Sequence, residues 1–355
     1  MSIPELSIIV PILNEGKILP ALFRTLSEQE GVTVELIVSD GGSRDGCVEL
    51  ARRLGEKATF SVTVLETEQG RGRQLNSGAC ASRGATLLFM HADSRFRDRQ
   101  ALRSALDLLN REITSGGDER VAGHFSLRFD RNGASPSLPY YFYECKARLN
   151  RRDCSHGDQG IMLRRTHFAE AGFFGESLPM LSETRFTGKL REGGKWLLFP
   201  AEIITSARRF DSEGLYARQV LNAIIMNFAS QGWETFFHEL PTLYVGNDRI
   251  GRLPLAPMLN KINRMIGDLP LMRRIALWHA TGDYVRSHAW QIPFFLDIQR
   301  NFRRCIPPGE GNTPLLDFHD SYLDRLTDHP PGRLTAAILT WIWFHLTRMH
   351  QKIKR

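Results

Sequence analysis

Three short clusters carry residue types suited to binding a charged ligand. His91-Ala92-Asp93-Ser94 places a carboxylate at the end of an apolar run, with an imidazole two residues before it on the same side of an extended chain. Mg2+ or Mn2+ is commonly held by one or two such groups, with a diphosphate and waters completing its shell. His91 is softer than a carboxylate and suits the diphosphate, so the metal falls to Asp93; by itself, Asp93 would equally serve as a helix cap. Asp40-Gly41-Gly42-Ser43-Arg44-Asp45 joins carboxylates that can accept from a ribose or base to glycines that let the backbone approach a ligand. The same residues are also ordinary turn chemistry. Gly70-Arg71-Gly72-Arg73 opens a segment that continues Gln74-Leu75-Asn76-Ser77-Gly78-Ala79. Arginines at a helix N-terminus favour phosphate through charge and dipole together. A solvated helix start is the alternative, and Arg71 fits that account least. The cluster is not a P-loop, since the closing Gly-Lys-Ser/Thr is missing.

The elements around these clusters follow from periodicity. Leu6 to Val10 and Val34 to Val38 are β-branched, apolar runs suited to strands buried on both faces. Phe60 to Leu65 alternates, and Thr86 to Met90 is a fourth strand. Helical spacing runs through Lys17–Gln29, Asp45–Leu54 and Gly72–Arg83. Strands alternating with helices predict a doubly wound, mostly parallel α/β sheet. Each polar cluster follows a strand, at the carboxyl end, where open α/β sheets bind ligands. Further on, Arg99–Ile113 and Ser182–Gly193 read as helices, and Gly123–Asp130 and Gly160–Leu163 as strands, with a Pro/Ser/Tyr-rich turn near residue 136.

Composition divides the chain near residue 246. Residues 1–245 contain 30 Lys+Arg and 30 Asp+Glu, whereas 246–355 contain 16 and 9, so the net +7 lies wholly in the C-terminal part. That part is a mainly helical, basic and aromatic extension with no recognisable nucleic-acid module, so nucleic acid is not an expected partner. Its last segment, Ala336-Ala337-Ile338-Leu339-Thr340-Trp341-Ile342-Trp343-Phe344, precedes Arg348, Lys352, Lys354 and Arg355, with no acidic residue after Asp328. It is too short to span a bilayer. Residues 330–355 suit either a helix at an anionic membrane surface or a helix docked on the N-terminal domain with a solvated tail. Five scattered cysteines (Cys47, Cys80, Cys145, Cys154 and Cys305) and an N-terminus without signal-peptide character predict a cytoplasmic protein, at the inner membrane face if the C-terminal helix binds lipid.

Six motifs in order resemble family 2 glycosyltransferases of GT-A fold: Pro11-Ile12-Leu13-Asn14-Glu15, the Asp40 turn, the Arg73 to Ala79 helix, His91-Ala92-Asp93, Gly157-Asp158-Gln159-Gly160 and Ser206-Ala207-Arg208-Arg209-Phe210. The last two, with Arg164-Arg165, resemble the bacterial subgroup associated with radical-SAM and selenium-domain proteins. The resemblance covers roughly residues 5 to 245. It implies an inverting enzyme that transfers a sugar from a nucleoside diphosphate, UDP foremost, with a divalent cation, to an unknown acceptor that is lipid-linked if the enzyme sits at a membrane. Asp40, Gly41, Pro11, Asn14 and Glu15 would then line the nucleotide pocket with Arg71 close by. Asp93 would hold the metal, His91, Arg208 and Arg209 would approach the diphosphate, and Gly157, Asp158 and Gln159 would form part of the sugar and acceptor floor.

One departure stands out. Where the family presents Glu-Asp, its aspartate the general base, this chain has Ser182-Glu183. Glu183 is one methylene longer, a displacement that matters when reach decides which group is the base. Three readings stay open: Glu183 is the base, the acceptor is already ionised, or turnover is impaired. Two other functions compete, a nucleotidyltransferase on a similar sheet and a catalytically silent nucleotide-binding or membrane-scaffold protein.

Overall fold

The computed structural model describes residues 3–131, 133–178, 180–243 and 251–353, in two compact units, Met1–Ser206 and Ala207–Arg355. In the first unit β1 (Leu6–Ile12), α1 (Leu19–Ser27), β2 (Val34–Asp40), α2 (Cys47–Gly55), β3 (Ser61–Glu66), α3 (Arg71–Ala81) and β4 (Thr86–Phe89) alternate as the apolar runs predict. They are followed by β5 (Arg95–Phe96), α4 (Ala101–Gly116), β6 (Val121–Asp130), α5 (Leu138–Lys146), β7 (Ile161–Arg164), α6 (Arg165–Glu170), α7 (Ser182–Gly193) and β8 (Lys195–Ser206).

The eight strands form one sheet in the order β3-β2-β1-β4-β7-β6-β8-β5. β1 is buried along its whole length and lies between β2 and β4, parallel to both. The chain winds outward from β1 through β2 to β3, then crosses to the other side for β4. The loops leaving β1 and β4 therefore diverge, which opens a crevice at their carboxyl ends.

The sheet is mixed. β3-β2-β1-β4 and the β6–β8 pair are parallel, while β7 opposes both β4 and β6, and β5 opposes β8. This reversal positions the site. An antiparallel strand begins where its parallel neighbours end, and Ile161, the first residue of β7, pairs with Phe89 at the end of β4. Gly157–Gln159, a single 3-10 turn just before β7, therefore lies at the same edge as the loops after β1, β2 and β4. The N-termini of α3 and α7 reach that edge too, because each helix runs back down the sheet to start a strand parallel to β1.

Two elements differ from the periodicity. The Pro/Ser/Tyr-rich stretch near 136 leads directly into α5, whose first turn takes Pro139 without losing a bond. β8 has no clean alternation, since Pro200 interrupts it, and it pairs with β6 through a register shift between Phe125 and Ser126. A strand of this kind is recognised by its partner, not by its own pattern.

The second unit is helical: α8 (Arg208–Glu213), α9 (Leu215–Ser230), α10 (Glu234–Leu243), α11 (Leu255–Gly267), α12 (Leu271–Ser287), α13 (Gln291–Arg303), α14 (Pro314–Phe318), α15 (Asp324–Thr327) and α16 (Pro330–Ile353). The compositional boundary near 246 falls inside this unit. α9 packs on α12 and α10 on α11, so the helices before 246 share a core with those after it. Composition records the charge of a segment, whereas a compact unit is defined by which apolar faces meet.

Candidate active site

The loops leaving β1 and β2 are tied into one wall. Asn14, in the left-handed region at φ 56°, accepts from the Ser43 hydroxyl's neighbour Arg44 N–H through Oδ1 at 2.9 Å, and its own N–H donates to Ser43 Oγ at 2.8 Å. The Gly16 N–H donates to Asp45 Oδ2 at 2.8 Å and the Cys47 N–H to Asp45 Oδ1 at 3.1 Å. Burial works against ionised Asp45, but these donors hold its carboxyl below the usual range. Asp40, 2% exposed, accepts from the Gly42 and Ser43 N–H groups on Oδ2 at 2.9 and 3.0 Å. The loop's own backbone thus uses one carboxylate oxygen. Pro11 is buried within β1, opposite Ser39 of β2, and Glu15 is partly exposed in the loop that follows.

Gln74 closes this wall from below. Its Nε2 donates to the carbonyls of Ile12 and Ser39, both at 2.8 Å, joining the exits of β1 and β2. A Cβ added at Gly41 would come within 2.9 Å of the Gln74 side chain, which accounts for the glycine there. In the sequence Gln74 is simply one residue of a helix, since nothing local reveals which carbonyls a side chain will reach.

The opposite wall is built by α3 and α7. The Arg71 Nε donates to Glu183 Oε1 at 2.5 Å, and His91 Nε2 lies 3.5 Å from the same oxygen. The Glu183 side chain is only 12% exposed. Burial would raise its proton affinity, but the positive charge of Arg71 and the His91 ring outweigh this and hold its carboxyl far below the usual carboxylate range. Gly157 covers the other side: a Cβ there would fall 2.7 Å from Glu183 Oε1, so any larger residue would displace the carboxylate.

The rest of the α3 motif positions Glu183. Asn76 donates through Nδ2 to the Phe174 carbonyl at 3.0 Å and accepts from the Phe174 N–H at 3.0 Å. Gly72 packs so tightly that a Cβ would sit 2.3 Å from the Gly175 carbonyl oxygen, the same oxygen that accepts from the Ser182 hydroxyl at 3.0 Å. Ser182 thus anchors the turn that starts α7. Beneath it, Phe89, Phe168, Phe174 and Phe186 form one aromatic cluster, with Phe174 and Phe186 rings 4.5 Å apart and Phe89 and Phe174 4.8 Å apart. This core connects β4, which leads to His91, with α7, which carries Glu183.

A buried network supports the Gly157–Gln159 turn. The Trp196 indole N–H donates to His124 Nδ1 at 2.8 Å, so the His124 ring is neutral and its Nε2–H faces the Ala147 carbonyl at 3.1 Å. Burial pushes His124 down to about 4. Arg191 donates to Ser155 Oγ at 2.8 Å and lies over the Trp196 ring at 4.7 Å, and the Gln159 amide donates to the Cys154 carbonyl at 3.0 Å.

Three polar atoms at this edge are buried and lack a hydrogen-bond partner among the described residues: Ser94 Oγ, Asp158 Oδ1 and Gln159 Oε1. Buried polar atoms are rarely left unpaired, and three at one strand edge mark a place for a polar ligand. Of the residues expected at the site, Pro11, Asn14, Glu15, Asp40, Gly41, Arg71, His91, Asp93, Gly157, Asp158, Gln159 and Glu183 belong to the first unit, on the strand ends, loops and helix starts at this edge. Arg208 and Arg209 belong to the second unit, where they open α8 and Arg209 lies 3.6 Å from Glu213. Arg165, part of the resemblance, is structural: it donates to the carbonyls of Ala79 and Gly84 at the far end of α3.

Comparison with known proteins bears on the fold and on sequence similarity. Over 98% of its length the chain superposes on 88% of a mannosyltransferase from Pyrobaculum calidifontis, solved with GDP-Man and Mn2+, with a TM-score of 0.51 and 17% identity. That likeness establishes a GT-A-like fold. Over 106 residues the chain is 33% identical to a PGL/p-HBAD biosynthesis glycosyltransferase of Mycobacterium bovis, covering 29% of this chain and 40% of that protein. Over 115 residues it is 34% identical to 4,4'-diaponeurosporenoate glycosyltransferase of Staphylococcus haemolyticus, covering 32% of this chain and 30% of that protein. The aligned segments thus span less than half of either relative. Residues 7–170, just under half of the chain, match the family model described as Glycosyl transferase family 2.

Proposed function

We propose that the protein is an inverting glycosyltransferase that moves a sugar from a nucleoside diphosphate, with UDP-sugars the first donors to test, to an acceptor hydroxyl. The observation that carries this reading is the buried Glu183 carboxylate, set between Arg71 and His91, at the edge where Asp40 ends β2 and Asp93 lies in the turn after β4. In a single displacement the acceptor oxygen bonds to the anomeric carbon while the bond to the diphosphate breaks. The chain then needs a group to take the acceptor proton and positive charge for the leaving group.

Glu183 takes the proton, and Arg71 serves the diphosphate. While Arg71 is paired with Glu183, the carboxylate is a weak base. When the donor's phosphates draw Arg71 away, Glu183 regains proton affinity, so the base becomes effective once the donor is in place. Asp40 and the Asn14–Glu15 loop face the nucleoside, and Asp158 and Gln159 face the sugar. Asp93 fits a shared metal site by offering one hard oxygen, with His91 left to the diphosphate; among the described residues no cluster of three or more His, Cys, Asp or Glu could hold an ion by itself. This donor set suits Mn2+ or Mg2+ completed by phosphate and water, and a bound ion supplies charge neutralisation to the diphosphate. The Gly157–Gly160 and Ser206–Phe210 motifs support placing the chain in the radical-SAM and selenium-associated subgroup.

The test is a panel of UDP-, GDP- and dTDP-sugars with Mn2+, scored for donor hydrolysis by mass spectrometry and for binding by calorimetry. Binding and slow hydrolysis of one donor are expected. Neither binding nor hydrolysis of any donor would refute the reading.

A further inference from the structure

α16 has two faces of opposite character. Ala337, Phe344 and Thr347 are buried at spacings of seven and three, a single helical stripe. This stripe packs on α12, where Gly282 permits the approach: a Cβ there would lie 2.3 Å from the Arg333 carbonyl oxygen and 2.7 Å from the Ala337 Cβ. Trp278 of α12 meets Phe344 with ring centroids 5.8 Å apart. The inner stripe thus docks α16 on another helix of the second unit.

The outward face should be polar if water were its only neighbour. It is not. Ile338, Trp341, Ile342, Trp343, Leu346 and Met349 are each between 39% and 55% exposed, over three turns of helix. Such a contiguous apolar surface marks an interaction site. Its charge identifies the partner. No Asp or Glu follows Asp328, while Arg333, Arg348, Lys352, Lys354 and Arg355 are basic, and residues 207–355 hold 19 basic against 13 acidic residues. The last two, Lys354 and Arg355, lie outside the described residues. A second copy meeting this face symmetrically would bring like charges together. No helix among the described residues is long and apolar enough to cross a membrane.

We propose that the outward face of α16 binds the surface of an anionic bilayer, lying in the interface with Trp341 and Trp343 at headgroup level and Arg348 on the lipid phosphates. Tryptophan and basic residues side by side on an otherwise apolar helix are suited to that depth. This inference does not depend on the donor or on Glu183.

The test is co-sedimentation of the full chain with vesicles of phosphatidylcholine alone and of phosphatidylcholine mixed with phosphatidylglycerol, at low and high salt. Binding to the mixed vesicles is expected, weakened by salt, with a blue shift of tryptophan emission. The double variant Trp341→Ser/Trp343→Ser should lower the partition coefficient about tenfold or more at an unchanged melting temperature, since both side chains face outward. Arg348→Glu, which leaves the apolar face intact, should reduce binding to the mixed vesicles alone. A full chain that stays in the supernatant with both vesicles at low salt would overturn the proposal. So would concentration-dependent dimerisation that the Trp variant abolishes, which would assign the face to a second copy.

Discussion

In the first unit, large apolar side chains are enclosed by a sheet and its helices; among the described residues only Ile3, Leu13, Phe173 and Leu198 stay exposed. In the second unit the remaining exposed large apolar residues extend from Tyr216 to Met349. Charge differs in the same way: residues 1–206 carry 27 basic and 26 acidic residues, against 19 and 13 in residues 207–355. The difference shows where each unit directs its unmet interactions. The first unit satisfies its apolar surface and leaves polar atoms unpaired at one strand edge, as a site for a polar ligand does. The second leaves an apolar, basic surface, as a docking element does.

The contrast can be broken most severely at Glu183. Glu183→Gln removes the only proposed base while keeping the shape, and kcat should fall about 10^2- to 10^4-fold with donor affinity retained, read by steady-state kinetics and calorimetry. Turnover within a fewfold of the parent would instead point to an acceptor that is already ionised. Arg71→Gln separates the two roles of the pair: donor affinity should fall, and the acid limb of the pH–rate profile should move to higher pH, because Glu183 without Arg71 holds its proton more tightly.

A smaller effect tests the supporting network. Burial lowers His124 from 6.5 to about 4, so between these values the unfolded chain takes a proton that the native ring refuses. Stability should therefore fall as pH drops through this window and level off below it, by about 3 kcal/mol in all. Urea midpoints at pH 7 and 4.5 check this, and His124→Asn should flatten the limb. Gln74→Ala should cost about 1–3 kcal/mol, because it removes two buried bonds to the ends of β1 and β2. Gly157→Ala should reduce kcat roughly tenfold or more by displacing Glu183 with little change in melting temperature. The smallest effect on catalysis belongs to the second unit: Trp341→Ser/Trp343→Ser should leave turnover of a water-soluble acceptor unchanged, whatever it does to vesicle binding.

The α/β alternation was legible because β1, β2 and β4 are buried on both faces and read as largely apolar runs. The polar clusters could be placed at strand ends for the same reason. β8 was not legible, because Pro200 and a register shift hide a strand whose regularity lies in its pairing with β6. The boundary near 246 followed charge, and charge does not report which helices share a core.

Sequence by itself determined the residue types at the site and the order in which they follow the strands, since burial and turn formation act over a few neighbouring residues. Only the tertiary structure decided that Arg71 meets Glu183 across 112 positions, that Gly157 leaves room for that carboxylate, and that Gln74 joins two strand exits. It also decided which face of α16 is left uncovered. These contacts depend on the antiparallel entry of β7 and the packing of the Phe89–Phe186 cluster. Local periodicity records that a side chain is buried or exposed, but long-range packing chooses its partner.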